Sequence, residues 1–218
     1  MRSGLPPNID HLVYVTPDVD ATVRELTTVL GVEAAAGGKH AAWGTRNALL
    51  SLGPRSYLEI MGPEPALSRP GLVHPFGIDT LRAGCLATWV AHADDLEAIV
   101  AAGRRAGVDL GGILSGSRAR PDGSLLSWSM TDLTAYREGG VVPYFINWGQ
   151  SPHPAASAPA GCVLLELTAV HPDPGRVRSV LGALGVELPV IQGPAFRLEA
   201  LVQTKWGVVK LGSSEGGK

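Results

Sequence analysis

A helix-ending signal that recurs three times constrains the fold of this 218-residue chain more than any other feature. Each time, an apolar stretch at helical spacing ends in Gly followed by Val: Leu30-Gly-Val32, Ala106-Gly-Val108 and Leu184-Gly-Val186. The three glycines lie 76 and 78 residues apart. Glycine is the residue that most readily ends a helix. Because this period exceeds that of solenoid repeats, it indicates duplication of a larger supersecondary unit.

The first copy of the unit consists of a strand, a helix and three further strands. β-branched and aromatic residues predict a strand over 10–16, and helical periodicity predicts a helix that begins at Asp18 or Asp20 and ends at Gly31. Three strand-like runs follow this helix, at 32–36, 45–52 and 56–61. The sequence therefore predicts a βαβββ module.

The same order of elements returns twice. The second copy is predicted as a strand at 85–91, a helix at 94–106 and strands at 112–114, 125–130 and 142–148. The third copy is predicted as a strand at 162–170, a helix at 173–184 and strands at 186–192, 196–203 and 207–211. The proline-rich stretch 150–161 is the best candidate linker. We expect an α+β fold in which 1–155 is one domain of two βαβββ modules, curved as a mixed sheet around a cleft. We expect 162–218 to form a third, partial module packed on it.

Composition excludes several classes of partner. The formal charge of −2 and the pI near 6.3 provide no basic surface for a phosphate backbone, so we expect no nucleic-acid partner. No apolar run is long enough for a membrane span or a signal peptide, and we expect a cytoplasmic protein with no membrane partner. Cys85 and Cys162 lie in separate strand-like runs, which favours reduced core thiols over a disulfide.

Several short motifs occur in a fixed order through the first two modules. They are Asp10-His11, Gly38-Lys-His40, Gly44-Thr-Arg-Asn47, Tyr57-Leu-Glu59, Asp122-Gly123 before Trp128, Pro143-Tyr-Phe-Ile146, Trp148-Gly149 and His153-Pro154. Together with the repeat, they resemble the glyoxalase-like branch of the vicinal-oxygen-chelate (glyoxalase/bleomycin resistance/dioxygenase) superfamily. The resemblance covers roughly residues 8–155. Its members include lyases, epimerases, dioxygenases, transferases and drug-binding proteins, so the resemblance selects no single reaction.

The resemblance implies a metal-binding site. Superfamily enzymes place a His on the first strand and a Glu on the last strand of a module as half of a divalent-metal site, and His11 and Glu59 match these places. Imidazole nitrogen and carboxylate oxygen suit Zn, Mn, Fe or Ni. Glu59 is also the candidate catalytic residue, as a metal ligand or as a group that moves a proton. The alternative is that His11 is a buried strand residue and Glu59 a surface charge.

Alignment of the first two modules tests the metal hypothesis within one sequence. The second-module counterpart of His11 is Ala87 or Thr88, and the counterpart of Glu59 is about Asn147. Ala and Thr are not useful metal ligands and Asn is a weak one. The second module thus departs from the metalloenzyme pattern.

Four polar residues of the motifs are predicted to bind ligand. His40 and His153 are either additional metal ligands or hydrogen-bonding residues of the pocket. In a regular strand Thr45 and Asn47 share one face and Arg46 takes the other. We expect Thr45 and Asn47 to point inward and Arg46 outward.

The second module is predicted to provide apolar walls and one more polar group. We predict ligand contacts for Trp128, Phe145 and Asn147, with Trp148 as a further flat wall. Phe145 and Asn147 share one face of their strand and Trp148 takes the other, so the three line one pocket only if the strand bulges. Cations that can meet an anionic ligand group occur at Arg82, Arg118 and Arg120.

Two functional hypotheses follow. In the first, the protein is a glyoxalase-like lyase or isomerase in which a metal polarises a carbonyl or vicinal diol. In the second, it is a metal-free protein that binds or sequesters a drug or metabolite. A partner-binding scaffold is a third, weaker alternative. No Gly-rich nucleotide loop or serine-hydrolase elbow occurs, so we expect no nucleotide cofactor. The expected partner is a small molecule, and the resemblance also implies a homodimer.

Overall fold

The structure, a computed structural model, describes residues 8–119, 125–134 and 138–213. The motif Asp122-Gly123 and the cation Arg120 lie outside these residues. The strands are β1 (Ile9–Val15), β2 (Ala35–His40), β3 (Thr45–Gly53), β4 (Ser56–Pro63), β5 (Cys85–His92), β6 (Ile113–Ala119), β7 (Leu125–Thr131), β8 (Tyr144–Asn147), β9 (Val163–His171), β10 (Val190–Gln192), β11 (Arg197–Thr204) and β12 (Gly207–Gly212). The α-helices are α1 (Val19–Leu30), α2 (Leu96–Arg105) and α3 (Pro174–Ala183).

The helices begin and end where the sequence predicts. Asp18, Asp95 and Asp173 each cap a helix, because their side chains accept a hydrogen bond from a backbone N–H in the first turn. Gly31 follows α1 with φ 74°, a left-handed conformation that glycine adopts without strain. Capping by short polar residues and glycine thus fixes the bounds of α1 from local sequence alone.

The first two modules form one curved sheet of eight strands in the order β2-β3-β4-β1-β5-β8-β7-β6. We call β1–β4 with α1 the first half, and β5–β8 with α2 and Trp148 the second half. Within each half the first strand pairs in parallel with the fourth. The halves join where β1 and β5 pair antiparallel. The predicted repeat of two βαβββ modules around a cleft is confirmed.

The two edges of this sheet approach each other, so the sheet nearly closes. The Nη1 atom of Arg118, on edge strand β6, donates to the carbonyl oxygen of Gly37 on edge strand β2, at 2.6 Å. A Cβ atom at Gly38 would lie 2.6 Å from Cδ of Arg118, so a larger residue there would displace the Arg118 side chain. The face that the curved sheet encloses is called the inner face below.

The outer face of the eight-stranded sheet is covered by the helices and by a second sheet. Leu12, Leu58 and Leu86 from the eight strands share one core with Leu26 of α1 and Leu164 of β9. The Oγ of Ser213 also donates to the backbone carbonyl of Leu86, at 2.8 Å. The third unit therefore completes the core of the outer face.

Strand pairing in the third unit differs from that in the two halves. Its four strands run in the order β10-β9-β11-β12, so the first strand lies between the second and the third. β9 pairs in parallel with β10, which has three residues, and antiparallel with β11. The third unit thus keeps the order of elements along the chain, but not the pairing of the βαβββ module.

Several predicted strand bounds shift. β2 covers Ala35–His40, not 32–36, and β6 extends to Ala119, well past the predicted 112–114. β2 contains Gly37 and Gly38, which have low strand propensity, so pairing with β3 decides its place.

Cys85 and Cys162 are buried and free, as expected. None of the described helices has the length and apolar character needed to cross a membrane.

Candidate functional site

A bulge in β1 brings two adjacent polar side chains together. Neighbouring strand residues normally point to opposite faces, but the register between β1 and β5 shifts between Ile9 and His11. Asp10 Oδ1 consequently lies 2.7 Å from Nδ1 of His11, although the two are consecutive. Both side chains are buried, Asp10 at 2% and His11 at 4% exposure. The bulge therefore brings the side chains of Asp10 and His11 together as a buried pair. In a regular strand, alternation would turn them to opposite faces.

His11 faces a second carboxylate on its other side. Its Nε2 lies 3.4 Å from Oε2 of Glu59, on the neighbouring parallel strand β4. Its ring stacks on Tyr57, with ring centres 4.5 Å apart and planes inclined by 18°. His11 is thus held between two carboxylates and against an aromatic ring, and its side chain lies on the same face of the sheet as that of Glu59.

Asn47 and His40 complete the polar cluster on β3 and β2. The Nδ2 of Asn47 donates to Oε1 of Glu59 at 2.6 Å, and its Oδ1 accepts from the backbone N–H of Gly38 at 2.8 Å. The Nε2 of His40 lies 3.9 Å from Oε1 of Glu59. On its other side, Nδ1 of His40 hydrogen-bonds Oγ1 of Thr45 at 2.9 Å. Thr45 therefore orients His40 and does not itself line the cavity.

The cluster carries opposite charges in close contact. Burial by itself lowers the pKa of His11, but hydrogen bonds and the negative charges of Asp10 and Glu59 outweigh it and raise the pKa to about 9. Burial raises the carboxyl pKa of Asp10 and Glu59, but their interactions with His11 and other partners hold both at about 2. Burial keeps the pKa of His40 below its ordinary value. At neutral pH the cluster holds two carboxylates, one imidazolium and one neutral imidazole.

Asp10 also joins this cluster to the residues that follow β8. Its Oδ2 accepts a hydrogen bond from Nε1 of Trp148 at 2.9 Å and lies 3.2 Å from Nε2 of His153. The rings of Trp148 and His153 meet edge to face, with centres 5.9 Å apart. A single buried carboxylate of the first half thus holds two rings from the segment that follows β8.

A cavity opens on the inner face above these groups. The empty space between its walls, including the opening to solvent, is about 540 Å³. The first half contributes the polar side chains of His11, His40, Asn47 and Glu59, together with the apolar or aromatic residues Val13, Trp43, Leu49, Tyr57 and Met61. The second half and the segment before it contribute a mostly apolar wall: Phe76, Val90, Arg118, Trp128, Met130, Leu133, Ile146 and Trp148. The cavity therefore has a polar end, built by the first half, and walls that are otherwise largely apolar.

Like Thr45, the predicted ligand-binding residues Phe145, Asn147 and His153 do not line this cavity. Phe145 is fully buried in the core of the outer face, because alternation along β8 turns it opposite to Ile146. Asn147 lies on that same face, where its Nδ2 donates to the backbone carbonyl of Asp94 at 2.8 Å. The assignment of ligand contacts to Phe145 and Asn147 is corrected by this placement. His153 shapes the site through Asp10, while Trp128 lines the cavity.

Arg46 takes the outer face of β3, as alternation requires. Its two terminal nitrogens donate to the carboxylate of Asp20 on α1, both at 2.8 Å. Asn47, the next residue, points inward to Glu59.

The polar residues are not arranged as a metal centre. Within residues 8–119, 125–134 and 138–213, no group of three or more His, Cys, Asp or Glu side chains could hold a metal ion. The oxygens of Glu59 face Asn47 and His11, and both ring nitrogens of His11 face carboxylates. In the second half Ala87 is an apolar core residue and Thr88 donates to a backbone carbonyl. Because the candidate donors satisfy one another, we derive no step through a metal.

Sequence reasoning missed several residues of the site, including apolar wall residues such as Leu49 and Met130. Asp10 was recognised only as part of a motif, and Tyr57 likewise; Trp43 and Phe76 were not identified. Phe76 belongs to the long connection between the halves, where no periodicity marks it. Asp10 carried one usable signal, a charged residue in an otherwise apolar strand.

Residues 9–185 match the sequence profile of a family described as glyoxalase-like domain. The match covers both halves of the eight-stranded sheet and continues through helix α3, beyond residue 155. No curated protein matches the chain.

Two solved structures align with the chain at low sequence identity. A hypothetical protein from Staphylococcus aureus aligns with a TM-score of 0.64 and 15% identity, over 86% of this chain and 87% of that one. A methylmalonyl-CoA epimerase from Mycobacterium tuberculosis aligns with a TM-score of 0.44 and 18% identity, over 72% of this chain and 97% of that one. At these identities the similarities concern the fold and not the reaction.

Proposed function

Since the chain belongs to the glyoxalase-like domain family, we propose that it acts as a lyase or isomerase on a small molecule. The ligand would carry a carbonyl group or two adjacent oxygen atoms. The observation that supports this is the division of the cavity, with the polar side chains His11, Asn47 and Glu59 at one end and an apolar wall at the other. Such a cavity suits a ligand with an oxygen-bearing head and an apolar body.

His11 is the group that we expect to bind a ligand oxygen. Its Nδ1 is held by Asp10 at 2.7 Å, whereas its Nε2 makes a longer contact of 3.4 Å with Glu59. An oxygen of the ligand can therefore compete for the Nε2 proton more easily than for the Nδ1 proton. A charged donor in a buried site favours an oxygen on which negative charge develops.

Glu59 is the group that we expect to move a proton. The charge of His11 and the amide of Asn47 hold the pKa of its carboxyl at about 2. A ligand oxygen that takes over the hydrogen bond from His11 removes one of these interactions, so the basicity of Glu59 rises on binding. The carboxylate would then accept a proton from the carbon next to the ligand carbonyl.

A metal-free sequestering protein is the second candidate, and one observation favours it. The buried polar groups of the cluster already satisfy one another, with Asp10, His11, Asn47 and Glu59 linked through contacts of 2.6 to 3.4 Å. A binding protein needs no group left poised for reaction. The two candidates differ in whether Glu59 transfers a proton.

Proton exchange distinguishes the candidates. 2-Hydroxyacetophenone carries a carbonyl and a hydroxyl on adjacent carbons, and deuterium uptake at its CH2 group in D2O is measured by NMR. We expect the protein to accelerate this exchange and Glu59→Gln to slow the protein-dependent rate by about 10²–10⁴-fold. The control is Glu166→Gln, which removes an exposed carboxylate of the third unit and should leave the rate unchanged.

The contrary outcomes separate the two functions. Binding of the probe without exchange would support sequestration, and equal rates in both variants would remove Glu59 from the reaction.

The metal prediction is tested by calorimetric titration with Zn, Mn, Fe and Ni ions. Tight binding of one ion, lost in His11→Ala, would show that the metal site forms after all.

A further inference from the structure

One wall of the cavity depends on a residue with an unfavourable backbone conformation. Phe76 has φ 59° and ψ 22°, and Gly77 after it has φ 69° and ψ 21°. Glycine adopts this left-handed region freely, whereas a bulky residue rarely does, because its Cβ atom crowds the backbone. The unfavourable conformation turns the phenyl ring of Phe76 into the cavity, where it meets Tyr144 edge to face with ring centres 5.5 Å apart.

Neighbouring contacts hold this turn in place. The carboxylate of Asp79 accepts a hydrogen bond from the backbone N–H of His74 at 2.9 Å and contacts the His74 ring at 2.5 Å. Thr80 Oγ1 donates to the carbonyl of Gly77 at 2.9 Å, and Ile78 is buried at 1% exposure. Backbone strain persists only where surrounding structure enforces it, and such enforcement is typical of functional positions.

A second part of the cavity wall depends on a glycine, which has no side chain to occupy the space. Gly116 on β6 lies opposite Trp128 on β7, and a Cβ atom at Gly116 would be 2.4 Å from Cε2 of the Trp128 indole. The indole therefore lies directly over the glycine, and any larger residue would displace it. Trp128 also approaches Trp148, with ring centres 5.7 Å apart and planes inclined by 56°. Gly116 thus fixes the position of Trp128 in the cavity wall.

Phe76 and Trp128 pack against the buried residues of the inner face, but both remain partly exposed and border the cavity. Each ring therefore keeps a surface that can meet a ligand. From this we infer that the cavity selects a flat ligand body, aromatic or conjugated, and that Phe76 and Trp128 determine this specificity. The inference rests on the proposed function, since it names the ligand class of the same cavity. Stacking on an aromatic ring stabilises a flat ligand beyond the contribution of the area that is buried.

A matched pair of probes tests the inference. 2-Hydroxyacetophenone and 1-cyclohexyl-2-hydroxyethanone have the same oxygen-bearing head and differ in a flat or a saturated ring. We expect the aromatic probe to bind about tenfold more tightly in calorimetric titrations, since two stacking contacts together approach 1.4 kcal/mol. Trp128→Leu, Gly116→Ala and Phe76→Leu should each reduce this ratio by about threefold.

The control is Trp206→Leu, which removes an exposed indole from the turn between β11 and β12 and should keep the tenfold ratio. If Gly116→Ala does not fold, the variants of Trp128 and Phe76 carry the test. Equal affinities of the intact protein for the two probes would overturn the inference and leave the proposed function standing. A ratio unchanged in both Trp128→Leu and Phe76→Leu would also overturn it. Binding of neither probe would overturn both.

Discussion

The two halves of the eight-stranded sheet share one topology and differ in what their inner faces carry. In the first half His11, Asn47 and Glu59 face the cavity, whereas the second half presents residues such as Met130, Ile146 and Trp148. Strand order and pairing are the same in both. Buried residues hold both faces of the sheet, since the inner face has a hydrophobic core that includes Val13, Met61 and Ile146. The halves therefore differ in the polar cluster that only the first half carries, and not in how their strands pair.

The halves are not independent, because Asp10 connects them. Its carboxylate holds His11 of the first half and takes a hydrogen bond from Trp148 of the second half. The polar and apolar ends of the cavity are therefore built around one buried group. Substitutions at this junction, in the first half and in the second half should differ in how much they lower stability. They should also differ in whether they change its pH dependence or the ligand affinity.

The largest effect is expected from Asp10→Ala, which breaks the junction. It would leave the buried His11 ring with one carboxylate partner and the indole N–H of Trp148 without its acceptor. Removing one partner of a buried ion pair costs about 3–5 kcal/mol. Urea unfolding should show a loss of that order. Asp94→Ala, which removes an exposed carboxylate near the start of α2, should change stability by less than about 0.5 kcal/mol. Equal losses in the two variants would contradict the role of Asp10.

A smaller effect, confined to the first half, is the dependence of stability on pH. The pKa of His11 is raised from 6.5 to about 9, so its contribution is complete below pH 6.5 and is lost as the pH rises through 9. The pKa of Asp10 and of Glu59 is lowered to about 2, so their contribution is present above pH 4.5 and is lost as the pH falls toward 2. The free energy of unfolding should therefore fall by a few kcal/mol between pH 6.5 and 9.

Two histidine variants test whether His11 causes this fall in the free energy of unfolding. His11→Gln should remove the alkaline fall, because no proton is then lost from that site. His92→Gln, at a partly exposed histidine of the second half paired with Asp94, should leave it unchanged. Denaturant unfolding at intervals between pH 5 and 10 gives both profiles. A fall that persists in His11→Gln would assign it to another group.

The smallest expected effect is a difference between substitutions on the outer and the inner face of the second half. Phe145→Leu leaves a small void in the outer core and should lower the free energy of unfolding by about 1–2 kcal/mol, while affinity for 2-hydroxyacetophenone stays the same. Trp148→Leu changes the inner face and should weaken that affinity. Calorimetry and urea unfolding measure both quantities. Loss of affinity in Phe145→Leu would show that the outer core also shapes the cavity.

Much of the candidate site could be predicted from the sequence, and particular residues show why the rest could not. The motifs placed His11, Glu59, Asn47 and Trp128 around one cleft, and all four line the cavity. Alternation along β8 indicated that Phe145 and Trp148 take opposite faces, but it does not say which face is inward. That choice depends on which side of the sheet the helices cover, which is a property of the assembled fold.

The sequence by itself determined the repeated βαβββ order, the helix bounds and the family, because capping, periodicity and short motifs are local signals. Only the tertiary structure decided that Asp10 joins His11 to Trp148, since this follows from a bulge and from contacts between residues 138 positions apart. It also decided the pairing of the third unit and the closing of the sheet by Arg118 on Gly37. Contacts between distant segments depend on the packing of whole elements, and no local pattern of residues encodes them.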